Sequence, residues 1–188
     1  MIYEIPNFLD DQTCDMLIDY FKNSNRRSNW QEDKFFKGRT LSPHEISDDD
    51  IQKRMEIFKS KTLQTISRLF HEKYVFLEFW DLVHWPKGIH MESHSDNTYP
   101  DKTPSNCFQR DYSSICYLNH DYKGGNTFFV YENKTCIPQK GKIIFYPSGL
   151  QFTHGVSKVT EGDRYTLASW YTKDEKYILT SNSYQFLS

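Results

Sequence analysis

From Tyr74 to Thr172 the chain is a succession of short aromatic and β-branched runs: YVFLEFWDLVHW (74–85), YSSICYLN (112–119), NTFFVYE (126–132), KIIFYP (142–147) and RYTLASWYT (164–172). Each is bounded by Gly, Pro, Asn or Asp clusters, the pattern of strands and turns. Many short strands following two helices suggest a helix-backed sandwich or barrel, not an alternating parallel sheet.

The helical part lies ahead of them. Asp10 is placed to cap a helix over about residues 11–23, in which Cys14, Leu17, Ile18 and Phe21 fall on one face. A second helix is expected to start at Ser47, whose hydroxyl can cap, with Asp48, Asp49 and Asp50 favouring the positive end of its dipole. Ile51, Met55, Phe58, Leu63, Ile66 and Leu69 keep it amphipathic to about His71. The polar stretch between the helices reads as a loop with Arg26 and Arg27 on a solvated face. The expected fold class is mainly β (α+β), with N-terminal helices backing the strands. A single domain over 1–188 is expected, helical over about 10–72 and β from about 74 to 188.

A formal charge of −2, from 23 basic and 25 acidic residues, offers no bulk attraction for nucleic acid or an acidic membrane. Cys14, Cys107, Cys116 and Cys136 show neither a C-x-x-C pair nor zinc-type spacing, and they read as ordinary thiols of a reducing cytosol. The opening MIYEIPNFLDDQ lacks the features of a signal peptide, and no apolar run approaches the roughly 20 residues of a membrane span. A soluble, cytoplasmic protein is expected. The long polar segment 97–111, with two prolines, is expected to be a substrate lid.

Residues 89–97, IHMESHSDN, hold two overlapping pairs, His90/Glu92 and His94/Asp96. On an extended strand all four side chains would share a face, and either pair could hold one ion. Periodicity does not choose between them. With a second histidine from another strand, such a pair makes the facial triad of non-heme iron, which leaves three positions open.

Downstream, His154 precedes by ten residues a strand on which Arg164, Thr166, Ala168 and Trp170 share one face. A guanidinium on an inward face is costly unless an anion meets it, and its planar fork matches a carboxylate. A metal triad together with a carboxylate clamp suits a small dicarboxylate that chelates iron at one end and meets arginine at the other.

In order along the chain, the sequence resembles the prolyl 4-hydroxylase-like Fe(II)/2-oxoglutarate oxygenases. The match begins at IPNFLDDQTCDMLI. An aromatic, two residues, Gly, five residues and H-x-D appear as Trp85, Gly88, His94 and Asp96; Y-L-N as Tyr117-Leu118-Asn119; and GG-x-T-x-F as Gly124 to Phe129. P-x-x-G-x-x-x-x-F appears as Pro138, Gly141 and Tyr146, and H-x-V-x-x-V-x-x-G-x-R-Y as His154, Val156, Val159, Gly162, Arg164 and Tyr165. Trp85 in place of a tyrosine and Met91 in place of an aromatic are departures from it.

The resemblance implies a double-stranded β-helix (jelly roll). It also implies Fe(II) held by His94, Asp96 and His154, and the distal carboxylate of 2-oxoglutarate held by Arg164 and Tyr117. Thr127 and Trp170 are further cofactor-pocket candidates, and Trp85 and Met91 are candidates on the substrate side. Counted from Trp85 and Gly88, the ligand histidine is His94, which leaves His90 and Glu92 as either rim residues near the substrate entrance or a solvated pair. The implied activity is a dioxygenase that hydroxylates an unactivated C–H, foremost a peptidyl proline, with O2 as oxidant, release of succinate and CO2, and ascorbate as accessory reductant. No protein general base is needed. The alternatives are another residue or a small molecule as substrate, a zinc hydrolase at the same ligands, and a non-catalytic jelly-roll binding module. A nucleobase demethylase fits less well, because R-Y-T-L-A-S-W lacks the second arginine such enzymes carry after the clamp.

Overall fold

The computed structural model describes residues 1–25 and 36–178. The expected loop around Arg26 and Arg27 falls largely outside them. Helix α1 spans Asp11–Asn23, and Asp10 caps it as expected, accepting from the Thr13 backbone N–H at 2.8 Å. Helix α2 spans Asp49–Phe70. Its cap is Asp48, one residue beyond the expected Ser47: the Asp48 carboxylate accepts from both Asp50 N–H and Ile51 N–H. A carboxylate reaching two free N–H groups at the positive end of the dipole outcompetes a hydroxyl. His71 ends the helix in the left-handed conformation, φ 58°.

Twelve strands are present among the described residues: β1 (Tyr3–Ile5), β2 (Thr40–Leu41), β3 (Phe76–Trp85), β4 (Met91–His94), β5 (Tyr112–Tyr117), β6 (Lys123–Gly124), β7 (Thr127–Phe129), β8 (Lys134–Cys136), β9 (Ile143–Pro147), β10 (His154–Val156), β11 (Val159–Glu161) and β12 (Arg164–Thr172). They form a six-stranded antiparallel sheet in the order β1-β9-β5-β12-β3-β2, a four-stranded sheet β4-β10-β7-β8, and a two-stranded ribbon β11-β6. This is the expected jelly roll. β1, β2, β6, β8 and β11 were not anticipated, because two or three residues are too few to show a period.

Alternation along the long strands divides the interior in two. Tyr165, Leu167 and Tyr171 of β12 face the helices, where Leu17, Phe21, Ile51, Phe58 and Ile66 form one core with them. On the opposite face of the large sheet, Ile115 and Tyr117 of β5 and Ile144 and Tyr146 of β9 pack against Phe129 and Cys136 of the small sheet. Val83 and Trp85 likewise pack against Val156 and Val159. The helices therefore shield one face of the large sheet, and the space between the sheets is left for a site.

Candidate metal and co-substrate site

Three side chains meet at the mouth of the space between the sheets. His94 ends β4, Asp96 follows it by two residues, and His154 opens β10, directly paired with His94 across the small sheet. One ligand atom from each lies within 4.8 Å of the others. The Nε2 atoms of His94 and His154 stand 3.9 and 4.0 Å from the two oxygens of Asp96. Each histidine directs Nδ1 to a backbone carbonyl, His94 to Glu92 at 3.0 Å and His154 to Phe152 at 3.1 Å. Protonation at Nδ1 leaves a lone pair on each Nε2, the form a metal ligand needs.

Asp96 is held from both sides. Ser113 Oγ of β5 donates to one oxygen at 2.6 Å, and Trp170 Nε1 of β12 donates to the other at 3.1 Å. Burial pushes its pKa up, but His154, His94, Arg110 and the Ser113 hydrogen bond outweigh that and leave it below the usual carboxylate range. Burial pushes the His154 pKa down to about 4, so its ring is neutral at physiological pH. The side chains of Asp96 and His154 are 6% and 5% exposed, whereas that of His94 is 40% exposed, so an ion would enter past His94.

Arg164 lies deeper in the same space, with no exposed surface. Its guanidinium sits 4.8 Å from the Trp85 ring centroid and 5.6 Å from that of Tyr117. Thr127 Oγ1 accepts from Tyr117 Oη at 2.8 Å and, at 3.4 Å, from one terminal nitrogen of Arg164. Nε and the other terminal nitrogen have no hydrogen-bond partner. Tyr122 lies beside the guanidinium, but its hydroxyl makes no hydrogen bond of good geometry with it. Among the described residues no carboxylate answers this buried cation, so its unpaired donors are a ready seat for an anion. The turn at Gly124-Gly125 is shaped around it: Gly125, at φ +60°, has room for no Cβ, which would fall 2.9 Å from Arg164 Cδ.

The triad and Arg164 share one cavity of about 910 Å³, walled mainly by apolar side chains including Val83, Trp85, Ile89, Met91 and Val156. Of the expected site residues, His94, Asp96 and His154 come together at one end, and Arg164, Tyr117 and Thr127 at the other. Trp170 sits on the metal-side carboxylate instead of beside Arg164. Trp85 lies against Arg164, its indole N–H donating to Thr166 Oγ1 at 3.1 Å, and Met91 lines the wall. His90 and Glu92 pair at 3.1 Å with their side chains 54% and 90% exposed, and both lie at the cavity mouth, so the pair is solvated and on the rim at once.

Three contributors had not been singled out. Ser113 shares the inward face of β5 with Tyr117, which alternation gives, but alternation assigns it no role on Asp96. Tyr146 departs from the pattern's phenylalanine, and its hydroxyl lies 3.1 Å from His154 Nε2. Arg110 stacks 4.1 Å over Trp170 and pairs with Glu78 at 2.9 Å, a contact between distant segments that no local pattern reveals. The segment 97–111 is internally bonded: Thr98 bridges Pro104, Asn97 donates to Arg110 O, and Ser105 Oγ donates to Asp96 O.

Residues 80–172 match the family model described as "2OG-Fe(II) oxygenase superfamily". Over these residues, just under half of its length, the chain carries the pattern of this superfamily. Among curated proteins, prolyl 3-hydroxylase 3 of Mus musculus is 37% identical over 91 residues, covering 42% of this chain and 12% of that protein. Prolyl 3-hydroxylase 1 of Homo sapiens is 42% identical over 73 residues, 36% of this chain and 10% of that protein. This chain thus matches only about a tenth of the length of those relatives. Two solved structures share the fold. A viral collagen prolyl hydroxylase from Paramecium Bursaria Chlorella virus-1, in complex with 2OG, has a TM-score of 0.70 at 18% identity, covering 93% of this chain and 96% of that one. A Pseudomonas putida prolyl-4-hydroxylase has a TM-score of 0.62 at 18% identity, covering 92% and 84%.

The residues present fit the cofactors this superfamily implies. Two imidazole nitrogens and a carboxylate make the facial set of Fe(II) oxygenases, and the unpaired nitrogens of Arg164 suit a carboxylate of 2-oxoglutarate.

Proposed function

We propose that this chain is a 2-oxoglutarate-dependent dioxygenase that hydroxylates a peptidyl proline. One observation carries the reading: a His-Asp-His set and a buried arginine with unpaired donors open into the same apolar cavity. His94, Asp96 and His154 would hold Fe(II), and Arg164, with Tyr117 and Thr127 behind it, would seat the distal carboxylate of 2-oxoglutarate. Iron so bound supplies activation of dioxygen, with 2-oxoglutarate as the electron source.

The protein's own contribution is placement. Ser113 and Trp170 fix both oxygens of Asp96, and the carbonyls of Glu92 and Phe152 fix the imidazoles. Arg164 orients the co-substrate, while Val83, Met91 and Val156 keep water from the reacting C–H. At about 910 Å³ the cavity has room for a five-carbon diacid and a proline ring. A proline substrate is supported by the names of the relatives, which divide between 3- and 4-hydroxylases. The position of the new hydroxyl is therefore a result to be read from the product.

The segment 97–111, tied to the Asp96 backbone through Ser105, is proposed as the peptide-contacting lid. One domain over 1–188 is proposed because a single core joins α1 and α2 to the large sheet. Four unpaired cysteines support a reducing, cytosolic setting. No helix among the described residues is long and apolar enough to cross a membrane. Ascorbate is proposed as an external reductant only.

The test is incubation with Fe(II), 2-oxoglutarate and a proline-containing peptide library. Stoichiometric succinate and a peptide heavier by one oxygen atom are expected. Hydrolysed peptide with Zn(II) and no succinate with Fe(II) would replace this reading with a hydrolase.

A further inference from the structure

The resembling sequence pattern ends its Pro138–Gly141 strand with phenylalanine, and this chain has Tyr146 there. The extra hydroxyl is fully buried and lies 3.1 Å from Nε2 of His154. Nδ1 of His154 faces the Phe152 carbonyl and so carries the proton, which leaves Nε2 with a lone pair only. In that contact the phenol must therefore be the donor, and Ser113 Oγ, which donates to Asp96, is a second partner of the same hydroxyl. An imidazole nitrogen has a single lone pair, and a metal on His154 would need the same one.

We propose that the Tyr146 hydroxyl is a positioning group that competes with a metal for the Nε2 lone pair of His154 and so weakens the site's hold on iron. The proposal rests on the reading of His94, Asp96 and His154 as metal ligands. The ring of His154 is held by two hydrogen bonds, through Phe152 O and Tyr146 Oη. Loading requires the second to break and the phenol to turn aside. The remainder of the Tyr146 side chain is ordinary packing, edge-on to Phe129 with ring centroids 4.9 Å apart and against His154 at 4.8 Å. Removal of the oxygen alone therefore leaves the wall of the site in place. The consequence is an oxygenase whose metal occupancy follows free iron over a higher concentration range than that of a phenylalanine-bearing site.

The experiment is a titration of metal-free protein with Mn(II), read as loss of the free-ion electron paramagnetic resonance signal, for the wild type, Tyr146→Phe and His154→Ala. Tyr146→Phe is expected to bind about 2- to 10-fold more tightly, the factor corresponding to one net hydrogen bond, and His154→Ala to lose binding. A second readout on metal-free protein is the ¹⁵N resonance of His154 Nε2, expected to shift toward that of a free acceptor in Tyr146→Phe. Equal or weaker Mn(II) binding by Tyr146→Phe overturns the proposal while the ligand assignment stands. Binding by none of the three, or full binding by His154→Ala, overturns the ligand assignment and the proposal with it.

Discussion

Arg164→Met separates co-substrate binding from folding. Arg164 is completely buried, and two of its three guanidinium nitrogens have no partner. Two hydrogen bonds to a carboxylate, at roughly 1.5–3 kcal/mol each, amount to about 3–6 kcal/mol. Methionine forms neither, so the apparent KM for 2-oxoglutarate should rise about 10²- to 10⁴-fold. Stability should move the other way. Replacing a buried charge by a hydrophobe of similar volume is neutral or stabilising by about 1–4 kcal/mol. The guanidinium's contacts with Trp85 and Tyr117 offset part of its burial cost, each by about 0.5–2 kcal/mol, so the lower end applies. A gain of about 1–2 kcal/mol raises Tm by about 2–8 °C in a chain of this size. Succinate release against 2-oxoglutarate concentration gives the first quantity, and calorimetry without co-substrate gives the second. In addition, 2-oxoglutarate should raise the Tm of the metal-loaded wild type and not that of the variant. An unchanged KM refutes the clamp, and a large fall in Tm refutes the claim that the charge is uncompensated.

Further perturbations distinguish the remaining parts. His94→Ala or Asp96→Ala should abolish metal binding and turnover, while His90→Ala and Glu92→Ala, which touch only the exposed pair, keep most of both; equilibrium dialysis and succinate assays check this. Ser113→Ala removes the 2.6 Å donor to Asp96 and should weaken Mn(II) binding about 10- to 100-fold with the fold intact. Gly125→Ala should destabilise by more than about 1 kcal/mol, measured in urea, since it combines a left-handed φ with a clash against Arg164. Asp81 is buried on the cavity wall with one hydrogen bond, from Ser42 Oγ at 2.6 Å, and burial raises its pKa to about 7. The folded state therefore holds a proton that the unfolded chain releases near pH 4. Stability from this group is full below about pH 4, falls as pH rises to about 7 and is lost above it, by an amount on the order of 2–4 kcal/mol. Asp81→Asn should flatten that decline in Tm between pH 4 and 7, and an unchanged pH slope would refute it.

Much of the site was legible in the sequence because its parts lie on regular strands. Alternation along β12 placed Arg164, Thr166, Ala168 and Trp170 on one face, and all four line the cavity. It did not say which end of the cavity each would reach, and Trp170 landed on Asp96, six residues along the strand from the clamp. Choosing His94 over His90 needed the spacing from Trp85 and Gly88, since all four tetrad residues satisfy a period of two. Helix α2 was off by one residue at its start because Ser47 and Asp48 are both good caps, and only the chain's path shows which one reaches the free N–H groups. Ion pairs such as Arg110–Glu78, and the Tyr146–His154 contact across β9 and β10, depend on how the strands meet in space, which one-dimensional spacing does not encode.

The central claim is that the His94/Asp96/His154 set and Arg164 act on one co-substrate in one cavity. It is tested most directly by measuring succinate and oxygenated peptide together, with Fe(II), 2-oxoglutarate and a proline peptide, for the wild type, Asp96→Ala and Arg164→Met. The account predicts equal amounts of both products from the wild type, neither from Asp96→Ala, and recovery of Arg164→Met only at greatly raised 2-oxoglutarate. Product formation by Asp96→Ala, or wild-type 2-oxoglutarate dependence in Arg164→Met, would contradict it.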